Sequence, residues 1–509
     1  MADPTSSHQQ AKTIAAWLKG HGFTENPFAL REAGCEERLS EYFVEGPYYD
    51  EIKGSADAPR TTFVFAARGC GKSAYRVMIQ CSCRPDDRDS PVLAIPYTDF
   101  SRVLAETKGD LSQVTVDHHL RAILAAGLTT LLREFVESPE SFLKLPRKRQ
   151  GIFKALLGEH APSLLHPTFL SDRLREWEKL AAADLLEETT EQELTDALPA
   201  PTSDPLLHFL HTLLVGLSEP LPDGLPLIEH WRAFVALVQQ AGLKAVYVLV
   251  DGLDEFFETA MDPQRAIPPF LLPLVANLSL MEGSCVAFKL FLPLEVFDTL
   301  RANSAVRFDR LSWHHLMWRD DHLVRMLRGR LQAFSGGRIS SLDAMADVGV
   351  VGRIDVQLAR WAHGSPRNLL LLGDILFTVH CDQGGENKPL LTEEDLQKVP
   401  ERFEWEYGPL VPPLSIDEKQ QRVLIGGRPI QEKLTPLEYE LLRFLYRHPG
   451  EVKSKDDIYL AVYQTTEGVT DEAIDSLVFR LRQKIEVDPK NPAYLVTQRG
   501  RGYRLMNVE

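Results

Sequence analysis

No apolar run in the 509-residue chain approaches the roughly 18 residues that a membrane-crossing helix needs, which excludes the helical membrane classes. Cysteine is scarce. The six residues Cys35, Cys70, Cys81, Cys83, Cys285 and Cys381 form no C-x-x-C pair and no zinc-ligand spacing, so reduced, mostly buried thiols are expected. The opening Met1-Ala2-Asp3-Pro4 has neither the basic nor the apolar stretch of a signal peptide, and a cytoplasmic location is expected. The pairs His118-His119 and His314-His315 are adjacent rather than spaced one helical turn apart, which argues against a shared metal. No Ser/His/Asp or Cys/His set, internal repeat or low-complexity tract stands out. Positive charge is also in short supply, with 56 Lys plus Arg against 72 Asp plus Glu and a net charge of −16. That balance argues against a protein coated in nucleic acid. The deficit is uneven, however: residues 414–509 hold fifteen basic and fifteen acidic residues, and a locally neutral domain can still turn a basic face to phosphates.

What is present is the length and texture of a multidomain globular protein, with about three units at ~150 residues each. The first stretch reads as helix and loop, with Ala11 to Lys19 amphipathic and Asn26-Pro27-Phe28 breaking it. Thr61 to Ala66 reads as a strand, as do Val92 to Ile95, Ala245 to Val250 and Val286 to Leu292. Their continuous apolar character is that of central strands covered on both faces. Helical patterns fill the intervals, and Arg175 to Leu198 has strong helical propensity with a solvated charged face. From about Leu311 to Val379 the pattern is helical again, and Val411-Pro412-Pro413 reads as linker. Alternating strands and helices predict an α/β P-loop NTPase, a parallel sheet with helices on both faces, plus a helical lid, followed by an α+β winged helix-turn-helix domain. The expected boundaries are a helical segment 1–55, a core 56–300 with an acidic helical insert at about 105–240, a lid and sensor region 301–395, a linker 396–413 and a C-terminal domain 414–509.

The turn after the first strand reads Ala66-Ala67-Arg68-Gly69-Cys70-Gly71-Lys72-Ser73-Ala74, which fits G-x-x-x-x-G-K-[ST] except for alanine at the first position. Such a loop uses small residues so that backbone N–H groups wrap a phosphate, a lysine to reach the β/γ oxygens and a hydroxyl for Mg²⁺. Alanine serves at Ala66 provided its backbone keeps a negative φ. The partner motif is Ala245 to Val250 followed by Asp251-Gly252-Leu253-Asp254-Glu255. A carboxylate at the end of an apolar strand lies beside the P-loop, which makes Asp251, with Ser73, the expected Mg²⁺ holder. Glu255 is the preferred base for an attacking water and Asp254 the second candidate. ATP and Mg²⁺ are the expected cofactors.

These two motifs resemble those of STAND-type signalling ATPases, relatives of AAA+ proteins, over about residues 25–385. The resemblance implies that Gly364-Ser365-Pro366-Arg367 is a sensor 2 turn whose Arg367 meets the terminal phosphate and so reports ATP against ADP. It also implies that Phe288 to Leu292 lies next to the Asp251 strand. The tip of that strand, Pro293-Leu294-Glu295, lacks the polar or arginine residue of the relatives, which points to slow, regulatory hydrolysis. Arg307, Arg310 and Arg319 are arginine-finger candidates for which structural salt bridges are the better expectation.

Toward the C-terminus, Thr435 caps a helix with Pro436 in its first turn and Glu438 completing the box, and His448-Pro449-Gly450 ends it. A second helix follows Ser454. A third runs from about Thr470 to Glu486, with Ile474, Val478, Leu481 and Ile485 forming one buried stripe. Tyr494 to Leu505 then reads as a two-stranded basic wing. The segments LTPLEYELL, HPGEV, FRLRQKI and RGRGYRL closely resemble the OmpR/PhoB-type winged helix over residues 414–509. This implies a third helix in the major groove and a wing in the minor groove of double-stranded DNA. Arg480 is expected to read guanine edges, and Arg482, Lys484, Thr497, Arg499 and Arg501 to grip phosphates. Leu477 and Phe479 stand where relatives often carry polar groups, and are assigned to thymine methyls or to a partner protein.

The expected function is an ATP-binding, signal-responsive DNA-binding regulator of transcription. Its partners would be double-stranded DNA, a signalling ligand or protein of unknown identity, other copies of itself, and no membrane. Two rivals remain: a DNA-associated ATPase in antiviral defence or mobile-element control, and a nucleotide-gated protein-interaction scaffold.

Overall fold

The computed structural model describes residues 13–83, 91–187, 204–216, 221–222, 224–384, 389–418, 420–426, 428–430, 432–463, 471–486, 489–490, 492–498 and 500–508. The chain divides into two compact units, one of Tyr48–Ala66 with Lys72–His315 and the other of Met1–Pro47 with Ala67–Gly71 and Leu316–Glu509.

The first of these units is built on a parallel sheet of β1 (Thr62–Ala66), β2 (Val92–Tyr97), β3 (Ala245–Val250), β4 (Val286–Pro293) and β5 (Ser312–His315), in the order β2-β3-β4-β1-β5. Every residue of β1, β3 and β4 is buried, which only a sheet covered on both faces allows. Each fully buried Val, Leu or Phe along them contributes about 1.5–3 kcal/mol. Helix Val116–Glu137 approaches the sheet closely because Gly127 has no side chain; a Cβ there would sit 2.8 Å from Phe234 and 2.9 Å from Ile95. The neighbouring helices gather around an aromatic cluster in which Phe135, Phe142, Phe153 and Phe209 meet edge to face.

Two expectations for this unit need correction. Arg175 to Leu198 is not one helix: a helix ends at Glu176, Glu178 takes a left-handed φ of 61°, and a new helix runs Leu180–Glu187, with 188–200 outside the described residues. Arg175 bridges the break by pairing with Asp184 and Glu187. Secondly, β5 lies inside a stretch that reads as helical. It is the edge strand beside β1, half exposed and made of Ser312, Trp313, His314 and His315, so it lacks the apolar run that marks the central strands.

In the other unit, helices Asp320–Phe334, Ile354–Trp361, Pro366–Asp382 and Glu393–Tyr407 pack with the N-terminal residues. The expected 1–55 segment is therefore divided, since Met1–Pro47 belongs here and Tyr49–Lys53 with the sheet. Phe28 and Trp17 pack on Phe377. Arg330 is 3% exposed; its guanidinium pairs with Glu36 at 2.8 Å and donates to Tyr42 Oη at 3.0 Å and to the carbonyls of Pro27 and Leu30. The expected linker 396–413 also shrinks. Glu393–Tyr407 is a helix because Thr392 and Asp395 form a capping box and Leu396, Val399 and Phe403 make a buried stripe, leaving only Gly408–Pro413 irregular.

The C-terminal domain has an antiparallel sheet of β6 (Leu414–Asp417), β7 (Arg422–Ile425) and β8 (Arg428–Pro429), then helices Pro436–Tyr446, Lys455–Tyr463 and Asp471–Ile485. The hairpin β9 (Leu495–Gln498) with β10 (Gly502–Leu505) closes it. Gly502 has φ 127° and exchanges its neighbour Tyr503 in two backbone hydrogen bonds with Lys453; a Cβ on it would lie 2.0 Å from the Lys453 carbonyl oxygen. Ile474, Val478, Leu481 and Ile485 are buried as their spacing requires. Leu477 is buried with them at 0% exposure, so its assignment to DNA or a partner is overturned: it fills the hydrophobic core one position from the stripe, where the helix surface is wide enough to bury both.

Two stability outcomes follow. Arg330→Met leaves Glu36 buried without its cation and should lower the protection of helix Asp320–Phe334 in hydrogen exchange by about 3–5 kcal/mol; an effect under about 1 kcal/mol would show that the network does not hold that helix. Leu477→Ala should destabilise the C-terminal domain by about 2–5 kcal/mol without altering which bases it prefers. A stable variant with changed base preference would return Leu477 to the interface.

Candidate nucleotide site and nucleic-acid interface

In the sheet unit, helix Lys72–Ser82 begins directly at the lysine of the phosphate-loop motif. Lys72 Nζ donates to the Ala66 carbonyl at 3.2 Å and lies 3.5 Å from Asp254 Oδ2, with both side chains largely buried. A lysine out of water needs such a counter-charge to stay protonated. Ala66 ends β1 and is absent from the residues with positive φ, as its place in the motif requires. Because β4 lies between β1 and β3, the β3 tip is two strands, about 10 Å, from the end of β1. Long side chains close that gap. Asp251, 3% exposed, is reached by Arg76 Nε at 3.2 Å, and Arg76 Nη1 donates to Gln80 at 3.0 Å.

The three acids differ in their partners. Asp254 faces Lys72, Asp251 pairs with Arg76, and Glu255 is exposed, beside Gly252, whose φ is 82°. Ser73 and Ala74 occupy the first turn of the helix and are half-buried. A hydroxyl at Ser73 with carboxylates at Asp251 and Asp254 is an oxygen donor set of the kind Mg²⁺ takes, and the Arg76 bond engages only Oδ2 of Asp251. Arg76 was not anticipated, although its place four residues after Lys72 puts it on the same helix face.

In the other unit, the turn Ala67–Gly71 has glycines at φ 85° (Gly69) and 82° (Gly71), the left-handed backbone that glycine adopts without strain. Arg68 is exposed. The Gly69 carbonyl accepts a hydrogen bond of 3.2 Å from the Arg367 backbone N–H, and the Cys70 carbonyl accepts one of 2.9 Å from Trp318 Nε1. Cys70 Sγ donates to the Gly364 carbonyl at 3.7 Å. Ser365 caps helix Pro366–Asp382 by accepting from the Asn368 N–H, which sets Arg367 in its first turn. A Cβ on Gly69 would come within 3.0 Å of Arg367 Cβ. The expected sensor turn is thus fastened to the phosphate-loop turn. Trp318 carries no motif that would have announced its part. Arg307, Arg310 and Arg319 pair with Asp309, Glu282 and Asp321, matching the salt-bridge expectation. His119 has both ring nitrogens engaged, with Tyr97 Oη at 2.7 Å and the Phe270 carbonyl at 2.8 Å.

On the third helix of the C-terminal domain the basic residues separate into two groups. Arg480 and Phe479 are exposed, at 55% for the arginine side chain and 61% for the phenylalanine. Arg482 instead donates to the Leu495 carbonyl at 2.9 and 2.6 Å and to Thr497 Oγ1 at 2.7 Å, tying the helix to the wing. Lys484 donates to Glu438 at 2.7 Å and to the Lys433 carbonyl at 3.0 Å. Burial pushes the Glu438 carboxyl up, but the bonds from Lys484 and Thr435 outweigh it and hold it below its ordinary value. Arg480 Nε lies 3.8 Å from the same carboxylate. Thr497 and Arg501 are exposed on the wing, and Arg499 lies outside the described residues.

Residues 429–505 match the family model described as "Transcriptional regulatory protein, C terminal". The alkaline phosphatase synthesis transcriptional regulatory protein SphR of Synechococcus elongatus is 38% identical over 92 residues, which are 18% of this chain and 35% of that protein. The chain therefore spans about a third of that relative's length. The RstA DNA-binding domain of Klebsiella pneumoniae, solved with its RstA box, is 25% identical over 19% of this chain and 94% of its own, with a TM-score of 0.18. The ORC1 protein of Aeropyrum pernix, solved with DNA, aligns over 94% of both chains at 12% identity and a TM-score of 0.33. Together with the helices, hairpin and buried stripe described above, the family match makes residues 429–505 the main part of a C-terminal winged-helix DNA-binding domain of the OmpR/PhoB type.

Proposed function

We propose that the chain is an ATP-responsive, DNA-binding regulator of transcription in which a STAND-like P-loop ATPase governs a winged helix. The observation that carries this reading is Lys72, buried between the Ala66 carbonyl and Asp254, in a chain that ends in an OmpR/PhoB-type domain. Lys72 and the backbone of Gly69 and Gly71 would bind the phosphates of ATP. Ser73 and Asp251 would hold Mg²⁺, which supplies charge neutralisation at the β- and γ-phosphate oxygens. Asp254 would pass from Lys72 toward water or metal as the lysine turns to phosphate, and Glu255 would orient the attacking water. The hydrogen bond from Arg367 to Gly69 supports a sensor role, since a displacement of the phosphate-loop turn reaches the lid helix directly.

On the DNA side, Arg480 and Phe479 would contact base edges, with Arg501 and Arg499 on phosphates. Arg482 and Lys484 would set the geometry of the helix and wing. Nucleotide control over DNA binding requires only that ATP favour the state in which winged helices engage DNA together, because simultaneous contacts raise avidity.

Lys72→Ala should abolish ATP binding, measured by calorimetry on the full chain. Arg480→Ala should weaken specific DNA binding by about 1–3 kcal/mol while sparing ATP. Normal DNA-linked behaviour without Lys72 would sink the coupling. Genome-wide mapping of bound DNA with and without Glu255→Gln tests site and switch together: discrete promoter sites that change with the variant support the reading. Strong stimulation of ATP hydrolysis by DNA without promoter sites would favour a DNA-associated ATPase, and absent DNA retention a protein-interaction scaffold.

A further inference from the structure

A cluster outside both sites joins two helices of the sheet unit. His160 is the last residue of helix Arg147–His160, and His230 lies in the first half of helix Leu227–Gln240; they are 4% and 3% exposed. Their rings meet edge to face at 69°, and His160 Nε2 lies 2.8 Å from His230 Nδ1. Glu159 Oε1 is 3.6 Å from the same His230 nitrogen, and the three donor atoms lie within 4.8 Å of one another.

Two imidazole nitrogens and a carboxylate oxygen within 4.8 Å of one another are the donor set of a borderline divalent cation such as Zn²⁺. Tetrahedral zinc with Zn–N near 2.05 Å holds two nitrogens about 3.3 Å apart, so the rings need part by only about 0.5 Å. Glu159 is half-exposed and can swing without disturbing the core. Three protein donors leave the fourth position to water, on the side where Glu159 reaches solvent. The carbonyl end of helix Arg147–His160 carries partial negative charge that favours a cation, although Arg102 already donates to the His160 carbonyl at 3.2 Å.

We propose that Glu159, His160 and His230 form a binding site for one divalent transition cation of the zinc class, which clips helix Arg147–His160 to helix Leu227–Gln240. The hydrogen bond between the rings adds to the apolar packing that already joins these helices; a metal would add a stronger link, so occupancy would raise the stiffness of the helical insert.

The test uses the full chain stripped with chelator, titrated with Zn²⁺ by calorimetry and with Co²⁺ by absorption. One equivalent should bind without a thiolate charge-transfer band, and Zn²⁺ should raise the melting temperature. His160→Gln and His230→Gln should each weaken binding by about 100-fold or more, and Glu159→Gln by about 10-fold. Unchanged affinity in both histidine variants would overturn the site, as would a Co²⁺ spectrum dominated by thiolate bands or no binding at all. Should the buried variants lose their helical circular dichroism, the exposed Glu159→Gln decides, and Zn²⁺ affinity equal to the wild type overturns the proposal.

Discussion

Inside the sheet unit the Lys72 ammonium group has two partners, Asp254 at 3.5 Å and the Ala66 carbonyl, which accepts a hydrogen bond from it. Desolvating an ammonium ion without such partners costs several kcal/mol. The strand order makes this partnership necessary. With β4 wedged between β1 and β3, the acids beyond β3 are out of reach of the β1 backbone, and only cations on long stems, Lys72 and Arg76 on one helix face, bridge the distance. The result is a site whose charges are balanced internally.

A similar division of labour shapes the C-terminal domain. Its third helix carries Arg480, Arg482 and Lys484 within five residues, yet only Arg480 is turned mainly to solvent. Arg482 fastens the wing through the Leu495 carbonyl and the Thr497 hydroxyl, and Lys484 fastens the first helix through Glu438. The buried Glu438 serves twice, closing the Thr435 capping box and collecting the charge of the third helix. These internal bonds fix the helix and wing from which Arg480 and Phe479 stand exposed.

Much of this was legible in local patterns. Ala245–Val250 is a strand in both sequence and structure because six consecutive apolar residues have no other place than the centre of a covered sheet. Thr435 with Glu438 announces a helix start because the capping box is satisfied within four residues. Illegible were the features that depend on distant chain: β5, whose Trp-His-His run has no strand pattern until β1 pairs with it, and the break at Glu178, where Arg175 finds Asp184 and Glu187 across the turn. Leu477 shows the limit within a single helix, since its neighbour Val478 marks the buried stripe and only packing against the other helices shows how wide that stripe is.

The sequence by itself determined the kinds of element and the candidate residues: a lysine in a phosphate-loop motif, acids at a strand end, and a winged helix with its capped first helix and basic wing. These are encoded within short spans by side-chain periodicity and turn chemistry. Only the tertiary structure decided which acid meets which cation, that Trp318 and Arg367 hold the phosphate-loop turn, that Leu477 belongs to the core, and that His160 and His230, seventy residues apart, face each other at 2.8 Å. Such pairings depend on strand order and helix packing, which bring together residues that no local pattern relates.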